Sequence, residues 1–115
     1  MQFSAAYRLK HASEFTKVFK NTEFKVRSDC FLVLVVQNAL NFPRLGLIVA
    51  KKNVKKASKR NLVKRIIRES FRLNRHQLPA VDVVVLVTKP CGNYTKPQFW
   101  QNLNQAWQIL LKNWH

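Results

Sequence analysis

The stretch Lys51–Arg75, KKNVKKASKRNLVKRIIRESFRLNR, carries 11 of the chain's 21 Lys and Arg residues and a single acid, Glu69. Wound as a helix at about 100° per residue, with Ser58 as N-cap, its Lys59–Leu73 part separates by chemistry. Arg60, Asn61, Lys64, Arg65, Arg68 and Arg72 fall on one arc, while Leu62, Val63, Ile66, Ile67, Ser70, Phe71 and Leu73 fill most of the other. One face is cationic and the other is core.

A charged helix face is most often merely solvated, but solvated faces mix Glu with Lys at i,i+4. Here Arg60/Lys64, Lys64/Arg68 and Arg68/Arg72 are like-charge pairs, each unfavourable by about 0.2–0.5 kcal/mol, and Arg65/Glu69 is the one favourable pair. Lys59 and Arg60 also fall in the first turn, where the helix dipole disfavours cations. A polyanion relieves all of these terms together, so the face is expected to bind nucleic acid.

Working outward, 115 residues make one domain (residues 1–115), and 47% hydrophobic with 11% aromatic content excludes a disordered basic tail. A formal charge of +16 selects anionic partners and says nothing about fold. Cys30 and Cys91 lie 61 positions apart without metal-ligand spacing, so they are expected to be free thiols in a reducing compartment. The first twenty residues are interrupted by Arg8, Lys10, Glu14, Lys17 and Lys20, and no apolar run approaches the ~20 residues of a membrane span. A cytoplasmic protein without a membrane partner is expected.

Upstream, Phe3 and Tyr7 are candidate packing anchors in a polar lead-in. A short helix with Ser13 as N-cap places Phe15, Val18 and Phe19 on one face. Phe24–Arg27, Cys30–Val36 and Leu45–Ala50 read as three strands, suggesting an antiparallel meander. Downstream, Pro79 stops the basic helix. Val81–Thr88 is apolar on both faces, as an interior strand would be. Thr95 and Gln98 have capping-box spacing before a long helix whose Phe99, Trp100, Leu103, Ala106, Trp107, Leu110, Leu111 and Trp114 are core candidates. The order αβββαβα is an α/β sandwich, one mainly antiparallel four-stranded sheet with helices packed on it.

A nuclease of its own would need clustered carboxylates for metal ions, or histidines placed as acid and base. Glu14, Glu23, Asp29, Glu69 and Asp82 are scattered over different elements, and His11, His76 and His115 lack ligand spacing. Gly46 and Gly92 cannot make a phosphate-cradling glycine loop. No catalytic residue and no metal site is expected in the chain.

The run KKNVKKASKRNLVKRIIRESFR, preceded by PRLGLIVA and followed by the Val81–Val87 strand, resembles the protein subunit of bacterial ribonuclease P. The resemblance spans essentially the whole chain, including EFTKVFK near the start. Its specific part is K-K-x-V-x-x-A-x-x-R-N-x-x-K-R-x-x-R, carried by Lys51, Lys52, Val54, Ala57, Arg60, Asn61, Lys64, Arg65 and Arg68. It implies a noncatalytic cofactor to a catalytic RNA that removes the 5′ leader of precursor tRNA, leaving 5′-phosphomonoester ends. Mg²⁺ would be held mainly by the RNA, and no obligate protein partner is implied. By the same resemblance, Lys51, Lys52, Arg60, Asn61, Lys64, Arg65 and Arg68 face the RNA subunit. Phe15 and Phe19 border a cleft for the single-stranded leader, and the basic helix lies in a left-handed crossover. Two positions depart from the pattern: Leu62 stands where the family's Arg-Asn-Arg triplet has its second arginine, and Leu34 stands at a sheet position that is aromatic in some members.

A structural ribosomal protein would share the charge and fold; lowering of the Mg²⁺ requirement of a processing RNA separates the two. A self-sufficient nuclease is disfavoured by the scattered acids. A membrane-surface module is disfavoured because the apolar arc of the basic helix is needed for the core.

Overall fold

The computed structural model describes residues 5–114. Phe3 and His115, named above, lie outside the described residues. The elements are α1 (Ala12–Asn21), β1 (Phe24–Ser28), β2 (Phe31–Gln37), β3 (Arg44–Ile48), α2 (Ala57–Asn74), β4 (Val81–Val87) and α3 (Lys96–Asn113), with 3-10 turns at Ala5–Tyr7 and Arg75–Gln77. The expected αβββαβα order and single four-stranded sheet are present.

The meander is not. The strand order is β1-β2-β4-β3: β4 is antiparallel to β2 and parallel to β3, and β2 and β3 do not pair. Two features of β4 account for this. It is apolar on both faces and so takes an interior place. It also carries a buried carboxylate, Asp82, and the β3 register sets Arg44 beside it. Arg44 grips Asp82 with Nε (2.9 Å) and Nη2 (2.8 Å), while Asn38 donates a third bond at 3.0 Å. A charge buried at that depth must be paired, and only a neighbouring β3 brings the guanidinium.

The hand of the β3–α2–β4 crossover follows from one residue. The Leu45 carbonyl accepts the Leu9 N–H (2.9 Å) on the outer edge of β3, while the Leu45 side chain enters the layer beneath α2 and α3. For an L-residue these two directions fix the geometry. Seen from the helix layer with β3 running upward, β4 lies to the left. The crossover is left-handed, against the general rule and as the resemblance implies.

α2 and α3 pack together on one face of the sheet, over Val26, Phe31, Val33, Val35, Leu45, Val81, Val83, Val85 and Val87. Within that layer Trp107 is fully buried, and its Nε1–H donates to Ser70 Oγ at 2.8 Å. This explains a serine in the apolar arc of α2. α1 covers only part of the other face, with Val18 against Leu34, Val36 and Val84.

Helix starts differ from expectation. α1 begins after His11 instead of Ser13, because Glu14 Oε1 reaches back to accept the N–H groups of Lys10 (2.7 Å) and His11 (3.0 Å). α2 begins after Lys56, and Ser58 lies inside its first turn. The Thr95/Gln98 capping box of α3 is formed as expected. Asp29 sits at φ 51° in the two-residue β1–β2 turn, a left-handed conformation that Asp tolerates. Its carboxylate holds Lys89 at 2.7 Å and the Tyr94 hydroxyl at 2.8 Å, which fixes the β4–α3 loop.

Cys30 and Cys91 are both free and buried, and burial, together with its neighbour Cys91, pushes the Cys30 thiol up to about 12.

Candidate RNA interface

The cations of α2 do not behave as one surface. Lys59 turns inward: its Nζ donates to the Tyr94 carbonyl at 2.7 Å and stands 5.6 Å from the centre of the Phe99 ring. Arg60 folds back on the preceding loop, donating Nη1 to the carbonyls of Val54 (3.1 Å) and Lys55 (2.8 Å). Both first-turn cations are therefore matched to carbonyl oxygens, which offsets the dipole repulsion expected at that end. Glu69 pairs with Arg72, one turn on, instead of Arg65; the Arg72 Nε bond is 2.9 Å. Arg65 and Asn61 are exposed on the outer face, as are Lys51 and Lys52 in the loop before the helix.

Lys64 and Arg68 point to one flank of α2, where they meet the outer edge of β3 and the side of α1. A cleft of about 390 Å³ opens there, lined by Phe15 of α1, Gly46 and Ile48 of β3, Arg8, and Lys64 and Arg68. Phe15 is half-buried against the sheet. Gly46 makes room for it: a Cβ at that position would stand 2.6 Å from Phe15 Cε1. Phe19, one turn further along α1, is 45% exposed and does not line this cleft.

The cleft is electrostatically one-sided. Desolvation, with the nearby Arg8 charge, pulls the Arg68 guanidinium below its ordinary value. The acids are engaged elsewhere: Glu14 and Asp82 with Arg44, Glu69 with Arg72, Asp29 with Lys89, and Glu23 with the Gln37 N–H at 2.8 Å. Cations held close together and partly out of water are stabilised by a bound anion.

Sequence reasoning looked for the sheet's part in this surface at Leu34 and missed the row of side chains that the fold leaves open. Arg27, Leu32, Leu86 and Ile48 stand side by side across the four strands on the α1 face. Leu32 and Leu86 are half-buried and Ile48 is 37% exposed, because α1 does not reach over them. The signal was there in strands apolar on both faces, with one face served by a helix of only ten residues. Leu34, by contrast, is 6% exposed beneath α1.

Among the described residues no group of three or more His, Cys, Asp or Glu could hold a metal ion, and no helix is long and apolar enough to cross a membrane. An α/β sandwich that gathers its cations on one helix, beside a cleft with an apolar floor, is a basic nucleic-acid-binding module.

Comparison with known proteins gives the family. The ribonuclease P family model matches residues 3–111. The chain is 40% identical over 111 residues to the ribonuclease P protein component of Chromohalobacter salexigens, covering 96% of this chain and 87% of that one. It is 42% identical over 111 residues to that of Pseudomonas aeruginosa, covering 96% and 82%. The solved RNase P protein of Staphylococcus aureus superposes with a TM-score of 0.82 at 31% identity, over 90% of this chain and 94% of that one. For Thermotoga maritima the TM-score is 0.75 at 31% identity, over 94% and 97%. The chain belongs to the ribonuclease P protein family. It is a protein cofactor that works with the RNA subunit of an endoribonuclease.

Proposed function

We infer that the chain binds the ribonuclease P RNA through the outer face of α2 and its preceding loop, and takes the 5′ leader of precursor tRNA in the cleft beside Phe15. Lys51, Lys52, Asn61 and Arg65 are the exposed RNA-facing groups. Lys64 and Arg68 stand at the boundary and serve both the RNA subunit and the leader backbone. Arg60 acts mainly by holding the Val54–Lys55 backbone in place. The cleavage chemistry, with its Mg²⁺, resides in the RNA, and the ribonucleoprotein works in the cytoplasm.

The observation that carries this reading is the cleft itself, one aromatic ring and three cationic side chains, those of Arg8, Lys64 and Arg68, around a groove at the sheet edge. An unstacked base placed on an aromatic gains about 1–3 kcal/mol with little regard to sequence, and the cations follow the backbone. Phe19 is exposed beyond the cleft mouth and meets a longer leader after Phe15 does.

The test is reconstitution with the RNA subunit at limiting Mg²⁺, comparing leader-bearing precursor with mature tRNA. Phe15→Ala should weaken precursor binding and leave mature tRNA and RNA-subunit binding nearly unchanged. Equal loss for both tRNAs, or large destabilisation without a leader-specific defect, would return Phe15 to the core.

A further inference from the structure

A second cavity, of about 740 Å³, lies on the opposite flank of α2 from the Phe15 cleft. Leu62, in its lining, and Lys64, in the cleft, stand about 160° apart around the helix axis. Its walls are the loop before α2, the first turns of α2, and the Pro90–Gly92 part of the β4–α3 loop.

The two loops are stitched together by one buried residue, Asn53. Its N–H donates to the Ala50 carbonyl (3.0 Å), its Nδ2 to the Val87 carbonyl (2.8 Å), and its own carbonyl accepts the Cys91 N–H (3.1 Å). Lys59, bound to the Tyr94 carbonyl, braces the same junction. The cavity is therefore preformed by hydrogen bonds to backbone carbonyls. Its lining divides by chemistry: Leu62 and Pro90 are apolar, and Lys52, Lys55 and Lys56 are exposed cations. No carboxylate lines it.

Size and lining together select the ligand. The volume falls in the range of small-molecule sites, roughly 300–1,000 Å³, and is far larger than a phosphate requires. An apolar patch rimmed by lysines suits a flat base attached to an anion. We propose that the cavity takes one unstacked nucleotide of a bound RNA strand, its base on Leu62 and Pro90 and its phosphate among Lys52, Lys55 and Lys56. This rests on the RNA-binding reading above. It also gives the departure at Leu62 a physical sense, since an arginine there would put a charged group where the base would lie.

The experiment uses the full chain and a single-stranded RNA decamer, followed by amide chemical shifts and by binding curves at two salt concentrations. The decamer should shift the Ser58, Leu62 and Gly92 resonances, and a decamer of abasic residues should lose those shifts while keeping the ones at Lys64 and Arg68. Gly92→Phe is the blocking variant, because a Cβ at Gly92 meets nothing within 4 Å and its φ lies outside the left-handed region. Leu62→Ser is the second variant and leaves the mouth open. Each should weaken the decamer by about fivefold with the salt slope unchanged, as expected for loss of one base contact and no phosphate contact. Undiminished binding in both variants, or equal cavity shifts from the abasic strand, would overturn the proposal. Uridine 5′-monophosphate is the competing arm: saturable shifts at the same residues that the decamer does not displace would assign the cavity to free nucleotide and overturn the RNA assignment. A decamer that shifts neither the cavity nor the Lys64/Arg68 face would sink the RNA-binding reading itself, whereas silence at the cavity alone sinks only this inference.

Discussion

The Phe15 ring rests on the bare backbone of Gly46, so closely that a Cβ on Gly46 would stand 2.6 Å from Cε1 and 2.7 Å from Cζ. Gly46 has no need of a left-handed backbone here; its use is to let an aromatic ring approach the sheet edge. One methyl group at β3 therefore displaces the aromatic wall of the cleft. Gly46→Ala should destabilise the fold by about 1–3 kcal/mol, as overpacking does, and weaken leader-bearing precursor more than mature tRNA. Parallel thermal melts and binding curves for both RNAs check it; a selective leader defect as large as that of Phe15→Ala is the expected result.

The basic residues of α2 separate by role. Lys64→Ala with Arg68→Ala should leave the melt nearly unchanged and reduce the dependence of log K on log salt for RNA-subunit binding by about 1.4–1.8, at roughly 0.7–0.9 per lost phosphate contact. Arg60→Ala should do the reverse. It removes two hydrogen bonds to loop carbonyls and should lower stability by about 1–2 kcal/mol with little change of slope. Matching salt slopes for Arg60→Ala and the double variant would show that Arg60 reaches phosphate as well.

Ser70 is a polar residue in the core for one reason, the indole of Trp107. Ser70→Ala leaves the indole N–H without a partner where no water reaches, and should cost about 1–3 kcal/mol in a denaturant melt. The double variant Ser70→Ala, Trp107→Phe removes the orphaned donor, so the two effects should be non-additive in a double-mutant cycle.

Glu14 joins the start of α1 to the sheet, capping Lys10 and His11 and pairing with Arg44 Nη1 at 2.8 Å. Those backbone bonds, and then Arg44, hold its carboxyl below the usual glutamate value. A carboxylate lowered in the folded state contributes stability that is complete above its unfolded pKa, near 4.3, and is lost as pH falls through the lowered folded value. Glu14→Gln should therefore lower the melting temperature at pH 7, by an amount corresponding to about 0.5–2 kcal/mol, and the difference from the parent should vanish in acid below that folded value. A mutational effect that persists undiminished there would mean that the charge of Glu14 is irrelevant to the fold.

The sequence by itself determined the elements, the cationic character of α2, the interior place of β4 and the family. These depend on period, charge and local spacing, which are properties of neighbours in the chain. Boundaries moved by a residue or two where a side chain reached back, as Glu14 does to Lys10 and His11. Tertiary structure alone decided that β3 pairs with β4 and not with β2, because that choice satisfies a buried charge on one strand with a guanidinium 38 positions earlier. It also decided which cations remain for a partner. On the helical projection Arg60, Lys64 and Arg68 look equivalent, yet Arg60 is turned back onto the carbonyls of Val54 and Lys55, and Lys59, which projects among the apolar positions, reaches the Tyr94 carbonyl across the fold. A long, flexible cation takes whichever acceptor the fold brings within reach, and helical periodicity carries no information about acceptors that lie outside the helix.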